Sequence, residues 1–220
     1  MSRFRDDDSG YSLIEVLVGL VVFGAISIGF YQVLIQGVRG SETSGEVAQI
    51  SEEARAGLNR MLRDLREADS LDAASPTSFT IWVDYDGDTT RDYTSNEYLR
   101  YTFAEVDGSI TLEALNSGGS ALSSGVLMDN VTKDAATTDI FMYSSNRLEY
   151  DWNPQDGITT WQEIDNPPAG YNGVGDRDGN LDTGELTYLS NVSINFDVAI
   201  GGEETEFAGE AQLRNRRFSI

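Results

Sequence analysis

The chain has 220 residues, 40% of them hydrophobic, with three Trp, nine Phe and ten Tyr, enough for a packed core in one domain with a tail or in two small domains. Fifteen Lys and Arg against 37 Asp and Glu give a net charge of −22, which excludes nucleic acid as a partner because phosphate binding needs a basic face. The chain has no His and no Cys, which excludes zinc fingers, Cys–His nucleophiles, Ser–His–Asp triads and disulfide scaffolds while leaving the redox compartment open.

Residues 1–10, MSRFRDDDSG, are polar and carry Arg3 and Arg5. From Tyr11 to Ile35 the sequence reads YSLIEVLVGLVVFGAISIGFYQVLI, 25 residues with a single charge, Glu15, and no proline. At about 1.5 Å per helical residue this run is long enough to cross a hydrocarbon core of about 30 Å. It is longer than the apolar core of a secretory signal peptide and has no A-x-A site behind it. Positive-inside counting places residues 1–10 in the cytoplasm and the bulk of the chain outside. A carboxylate inside an apolar span is expensive in lipid and points to a definite partner. The span has no basic residue, so the partner of Glu15 belongs to another chain or to a chain end. Cleavage between Gly10 and Tyr11 would create such an end, a charged amine four residues before Glu15.

The segment G-Y-S-L-I-E-V-L-V, Gly10 to Val18, closely resembles the class III signal of type IV pilins and type II secretion pseudopilins. That pattern is a short charged leader ending in Gly, an aromatic first residue after cleavage, a Glu four residues on, and an apolar helix. Tyr11 stands where the family usually has Phe. The resemblance implies cleavage after Gly10 by a prepilin peptidase, N-methylation at Tyr11, and pairing of Glu15 with a neighbouring subunit's amine. It also implies that membrane lipid holds the helix until inner-membrane assembly machinery adds it to other pilin or pseudopilin subunits.

The helical pattern continues beyond the span. Gly37, Gly40 and Gly45 mark a soft or kinked junction, since each weakens a helix by about 1 kcal/mol. Val47, Ile50, Ala54, Leu58, Met61, Leu62, Leu65 and Ala68 then recur at gaps of three and four, one apolar face. Arg55, Arg60, Arg63 and Arg66, interleaved with Glu52, Glu53, Asp64 and Glu67, fall off that face. The heptads are too few for a free stalk, so the stripe packs on another element; in pilins that element is a β-sheet head. Gln32 stands where major pilins often carry Pro. Leu58 to Glu67, LNRMLRDLRE, resembles the corresponding helix end of minor subunits of the PilW and GspJ type.

Residues 71–220 read as an acidic β-rich head. Residues 70–220 hold seven Arg and one Lys against 26 acids, a net of −18. Such a surface serves solubility, adaptation to salt, or dedicated cation sites. Ser70 to Pro76 is expected to end the helix. Strands are predicted over Phe79–Val83, Glu97–Phe103, Ser109–Leu115, Gly125–Val131, Asp139–Tyr143, Arg147–Trp152 and Ile158–Ile164, the last two paired. Asn116–Gly125 and Asp165–Asp182 read as loops. Glu185–Ile200 and Glu204–Leu213 form a final hairpin about Gly201-Gly202.

Two acidic loops have the spacing of hard-cation ligands. Aligning Gly179 with the glycine of an EF-hand loop places Asp176, Asp178, Asp182 and Glu185 at ligand positions three, five, nine and twelve. Position one is then Val174, with Asn172 two residues before it as a substitute, and no flanking helices are evident. Asp84, Asp86 and Asp88 form a weaker D-x-D-G-D pattern, one that hairpin turns also use. All these ligands are oxygens, so the cofactor expected there is Ca2+. Catalysis would need a carboxylate pair or a Ser–Lys dyad; no pair stands out and Lys133 lies in a polar T-K-D stretch.

The fold expected is therefore α+β: a long N-terminal helix, transmembrane at 11–36 and amphipathic at 37–70, packed on an antiparallel β-rich head. The function expected is that of a minor pilin or pseudopilin and not of an enzyme. An uncleaved, membrane-anchored, extracytoplasmic calcium-binding β-domain is the alternative.

Overall fold

The computed structural model describes residues 13–133, 139–152, 155–169, 175–179, 181, 183–200 and 203–213. The chain divides into two compact units, residues 1–47 and 48–220. Helix α1 runs from Leu13 to Glu67. It stays helical through Gly37, Gly40 and Gly45, so the expected weak point does not interrupt it. The described side chains of its apolar span are almost all exposed. In the second unit the helix buries Ala54, Leu58, Met61, Leu62, Leu65 and Ala68, most of the stripe that the spacing predicts; Val47 and Ile50, its first two residues, are only partly covered.

The head holds two antiparallel sheets. The first is a meander of β1 (Ser70–Ser75), β2 (Ser78–Trp82), β3 (Tyr98–Ala104), β4 (Ser109–Leu115) and β5 (Ala121–Met128), in that spatial order. The second contains β6 (Val131–Thr132), β7 (Phe141–Ser145), β8 (Thr159–Thr160), β9 (Asn191–Ile200) and β10 (Glu203–Gln212). Its order is β10-β9-β7-β8, with β6 also paired to β9. On β3 the alternation buries Leu99, Tyr101 and Phe103; on β9 it buries Val192, Ile194, Phe196 and Val198, the period-two pattern of strands with one covered face. Phe79 of β2 joins the two sheets. Its ring stacks on Tyr101 and meets Phe141 of β7 edge-on, both with centroids 4.9 Å apart. The Tyr143 hydroxyl donates to the carbonyls of Ser75 and Ser78 at 2.9 and 3.0 Å, pinning the β1–β2 turn onto the second sheet. Gly209 of β10 allows the backbone to come close under Leu62, whose side chain occupies the space a Cβ would need.

Five expectations change. Ser70–Ser75 is a strand and not just the helix end: the Asp69 N–H donates to the Trp82 carbonyl at 2.9 Å and β1 pairs with β2 from there. Pairing imposes the extended backbone on SLDAAS, a sequence of low strand propensity. The predicted loop Asn116–Gly125 becomes strand from Ala121. The turn before it is fastened by Asn116 Oδ1, which accepts from the N–H groups of Gly118 and Ser120. Arg147–Trp152 is not a strand; Leu148–Tyr150 forms a 3-10 turn. Of Ile158–Ile164 only Thr159 and Thr160 are strand, and they pair with Ser145 and Ser144 of β7. The chain then turns into helix α2 (Trp161–Asp165), because the Glu163 carboxylate reaches back to the Thr160 N–H at 2.7 Å and hydroxyl at 2.9 Å, closing a capping box. The predicted strand from Glu185 starts only at Asn191, after a short helix α3 (Thr183–Leu186). The final β9–β10 hairpin pairs from Ile200↔Glu203 to Asn191↔Gln212.

Candidate functional site

Three places carry chemistry. The first is the N-terminal span. Leu13–Gln36 is apolar and long enough to cross a membrane, and none of it is buried within the structure. Phe23 and Phe30 are 70% and 69% exposed. An apolar cylinder of this size is not sustained in water; it needs lipid or other apolar helices around it. Glu15 sits in this cylinder, exposed, and makes no ion pair among the described residues. Gly10 and Tyr11 lie outside the described residues.

The second is a buried carboxylate. Asp64 lies at the edge of the α1 stripe, just beyond Ala68 and Gly57, and is fully buried. The Tyr101 hydroxyl donates to its Oδ2 at 2.5 Å, in the range of a charge-assisted bond. Arg63 donates to Oδ1 at 3.3 Å and Arg60 Nε stands 3.8 Å from Oδ2. Beside this group a cavity of about 500 Å3 is lined by Arg60, Arg63, Tyr85, Leu99, Leu112 and Val126, among others. It reaches the outer strand β5, whose described side chains are mostly exposed. The arrangement is a fixed anion with matched donors, which ties α1 to β3. The sequence places Asp64 among solvent-facing charges; its position next to Gly57 on the helical wheel is the signal that the covered arc extends that far.

The third comprises the acidic loops. Asp84, Asp86 and Asp88 bring one carboxylate oxygen each within 4.8 Å of the others. Their oxygens are already used by main-chain N–H groups. Asp84 accepts from Gly87 and Thr89 at 2.7 and 2.9 Å, Asp86 from Asp88 at 3.0 Å, and Asp88 from Thr90 at 2.6 Å. The loop therefore closes on itself through Asx turns. Asp176 and Asp178 also come together, with Asp165 of α2 as the third member, again within 4.8 Å. Glu185 is buried in α3 outside that group, and Asp182 lies outside the described residues. Asp165 is missed in the sequence, where it serves only as the boundary of the loop.

Part of the chain is similar to a known protein. It is similar to type II secretion system protein J of Vibrio cholerae serotype O1, with 45% identity over 53 residues. The matched stretch is 24% of this chain and 24% of that protein, so the chain spans about a quarter of the relative's length. No family model matches the chain. No solved structure matches it either.

The Asp64 group has a measurable consequence. Burial, with the Asp64 charge behind it, pushes the Tyr85 phenol up from 10.0 to about 12. Burial followed by the same charge also raises Tyr101, and burial raises Tyr143. Unfolded phenols ionise near pH 10 while these keep their protons when folded, so above that pH the unfolded state holds fewer protons. Stability is then full below about pH 10 and falls as the pH climbs toward 12 and beyond. In an alkaline titration Tyr101 and Tyr143, two of the ten tyrosines and both buried, are expected to develop phenolate absorbance only together with loss of near-UV circular dichroism, whereas Tyr85, 49% exposed, ionises ahead of them. Ionisation of every tyrosine near pH 10 with the fold intact would contradict their burial.

Proposed function

We propose that this chain is a minor pseudopilin of a type II secretion system, an assembly protein and not an enzyme. The observation that carries the reading is the 45% identity over 53 residues with type II secretion system protein J. The exposed apolar span, the lone Glu15 within it and the β-rich head on the second half of α1 support it. In this reading the leader ends at Gly10, a prepilin peptidase cleaves there, and the new amine of Tyr11 is methylated. The span holds the subunit in the inner membrane with the head outside. The assembly machinery then moves it into a bundle of helices, where Glu15 meets a neighbour's amine at low dielectric. The head stands at the tip or takes part in initiation.

The test is intact mass and N-terminal sequencing of the protein from its native membrane. A start at methylated Tyr11 is the expected result. A start at Met1 would leave an uncleaved, anchored β-domain. A start within or after the span would mean conventional secretion and would overturn the proposal.

A further inference from the structure

We propose that Asp165, Asp176 and Asp178 form a binding site for a hard divalent cation, and that the ion is calcium. The inference concerns the head alone and does not depend on filament assembly. One carboxylate oxygen from each residue lies within 4.8 Å of the others. Two oxygens bound to one Ca2+ at about 2.4 Å can stand at most about 4.8 Å apart, so the spread of the three fits a single ion.

The decisive feature is Asp165. It is only 5% exposed, and its Oδ1 is buried without a hydrogen-bond partner among the described residues. Its Oδ2 accepts from the Gly179 N–H at 3.1 Å and its main-chain carbonyl from the Arg177 N–H at 3.0 Å. Those bonds hold the 175–179 segment against the end of α2 and bring Asp176 and Asp178 to the same carboxylate. Gly175 permits that approach, since a Cβ there would run into the carbonyls of Ile164 and Asp165.

A buried carboxylate oxygen with no donor is among the costliest groups a fold can carry. The cation nearest in sequence does not relieve it. The Arg177 guanidinium donates to the Pro167 carbonyl, and among the described residues neither Asp165 nor Asp176 has an Arg or Lys within ion-pair distance. A bound cation would satisfy Asp165 Oδ1 and remove the repulsion among the three carboxylates. Asp176 Oδ1 accepts from the Asp178 N–H at 3.1 Å, as the carboxylates of the Asp84 loop do from their own main chain; the difference is the buried Asp165 Oδ1, which has no counterpart in the Asp84 loop. Oxygen-only donors exclude the soft metals. Two exposed ligands leave open directions for water, and the larger, flexible coordination of Ca2+ suits such a loop better than the strict octahedron of Mg2+.

The experiment uses the full chain in detergent micelles, stripped with a chelator and titrated with CaCl2 by calorimetry and thermal melting. One ion per chain is expected, with a Kd of about 10⁻⁴ to 10⁻³ M, as in partly exposed extracellular sites. At a hundredfold excess over Kd the melting midpoint rises by about 5–10 °C. Asp165→Asn removes binding. Asp176→Asn and Asp178→Asn, both at exposed positions, keep the apo melting midpoint and weaken Ca2+ at least about tenfold. Asp84→Asn leaves the affinity unchanged. Absence of saturable binding at about 10 mM Ca2+ overturns the proposal, as does undiminished binding in both Asp176→Asn and Asp178→Asn. Loss of binding in Asp84→Asn would move the site to the other loop and overturn it equally.

Discussion

On the assembly proposed above, Glu15→Ala is expected to leave the chain processed and membrane-bound but to lower its recovery in sheared filaments about a hundredfold or more. In lipid a lone Glu15 near the end of the span can reach toward the interface, so storage in the membrane tolerates either residue. Inside a helical bundle the situation differs. There the subunit amine is surrounded by apolar side chains, and removing its carboxylate leaves an uncompensated charge worth several kcal/mol. Every 1.4 kcal/mol is a factor of ten in the equilibrium, so two such decades are a conservative expectation. Glu15→Gln keeps the shape and loses the charge, and it should fail as Glu15→Ala does. Glu15→Asp keeps the charge on a shorter arm and should retain part of the incorporation. Fractionation of membranes and sheared filaments, followed by immunoblotting, reads all three. Normal incorporation of Glu15→Ala with complete leader removal would refute the pairing role without touching the reading of the head.

Particular residues explain what the sequence discloses about this fold. The stripe from Ala54 to Ala68 is legible because six apolar residues keep a helical period with no competing pattern. Strands β3 and β4 are legible because Leu99, Tyr101 and Phe103 alternate with polar residues and Asp107-Gly108 marks the turn. Strand β1 is not: SLDAAS has little strand preference, and its extended backbone comes from pairing with β2. Strand β5 lies at the outer edge of its sheet with most side chains exposed, so it has no alternation to read. Helix α2 was legible in principle, since Thr160-Trp161-Gln162-Glu163 is a capping-box sequence, but the aromatic and β-branched residues around it read as strand. The acidic loop was half legible. Asp176 and Asp178 lie in one local motif, whereas Asp165 joins them from eleven residues away through a turn that no linear spacing encodes. Asp64 escaped for a related reason. A charge at the margin of an apolar stripe looks solvated until the covering strand is known.

That charge gives the largest stability effect expected in the head. Asp64→Ala should lower stability by about 2–3 kcal/mol, a drop of about 5–10 °C in melting midpoint for a chain of this size. The loss does not come from the arginines. The Arg60 and Arg63 side chains are 47% and 60% exposed, so water takes over their solvation once the carboxylate is gone, and exposed pairs contribute little. It comes from Tyr101. Its hydroxyl is buried, its hydrogen bond to Asp64 is short, and without the acceptor it is left unsatisfied at about 1–3 kcal/mol; the vacated volume adds to this. Tyr101→Phe removes the donor and leaves a buried carboxylate that still faces Arg60 and Arg63, so its cost should be smaller, near 1.5–2 kcal/mol. Because each single change strands part of the other's group, the double variant Asp64→Ala/Tyr101→Phe should be less destabilised than the sum of the two, with a coupling of about 1–2 kcal/mol. Arg60→Gln should change stability by less than about 0.5 kcal/mol. Thermal melts of the four variants in micelles, followed by near-UV circular dichroism, separate the hydrogen bond from the ion pairs. If Arg60→Gln proves as costly as Asp64→Ala and the double variant is additive, the arginines and not Tyr101 hold the Asp64 carboxylate in place.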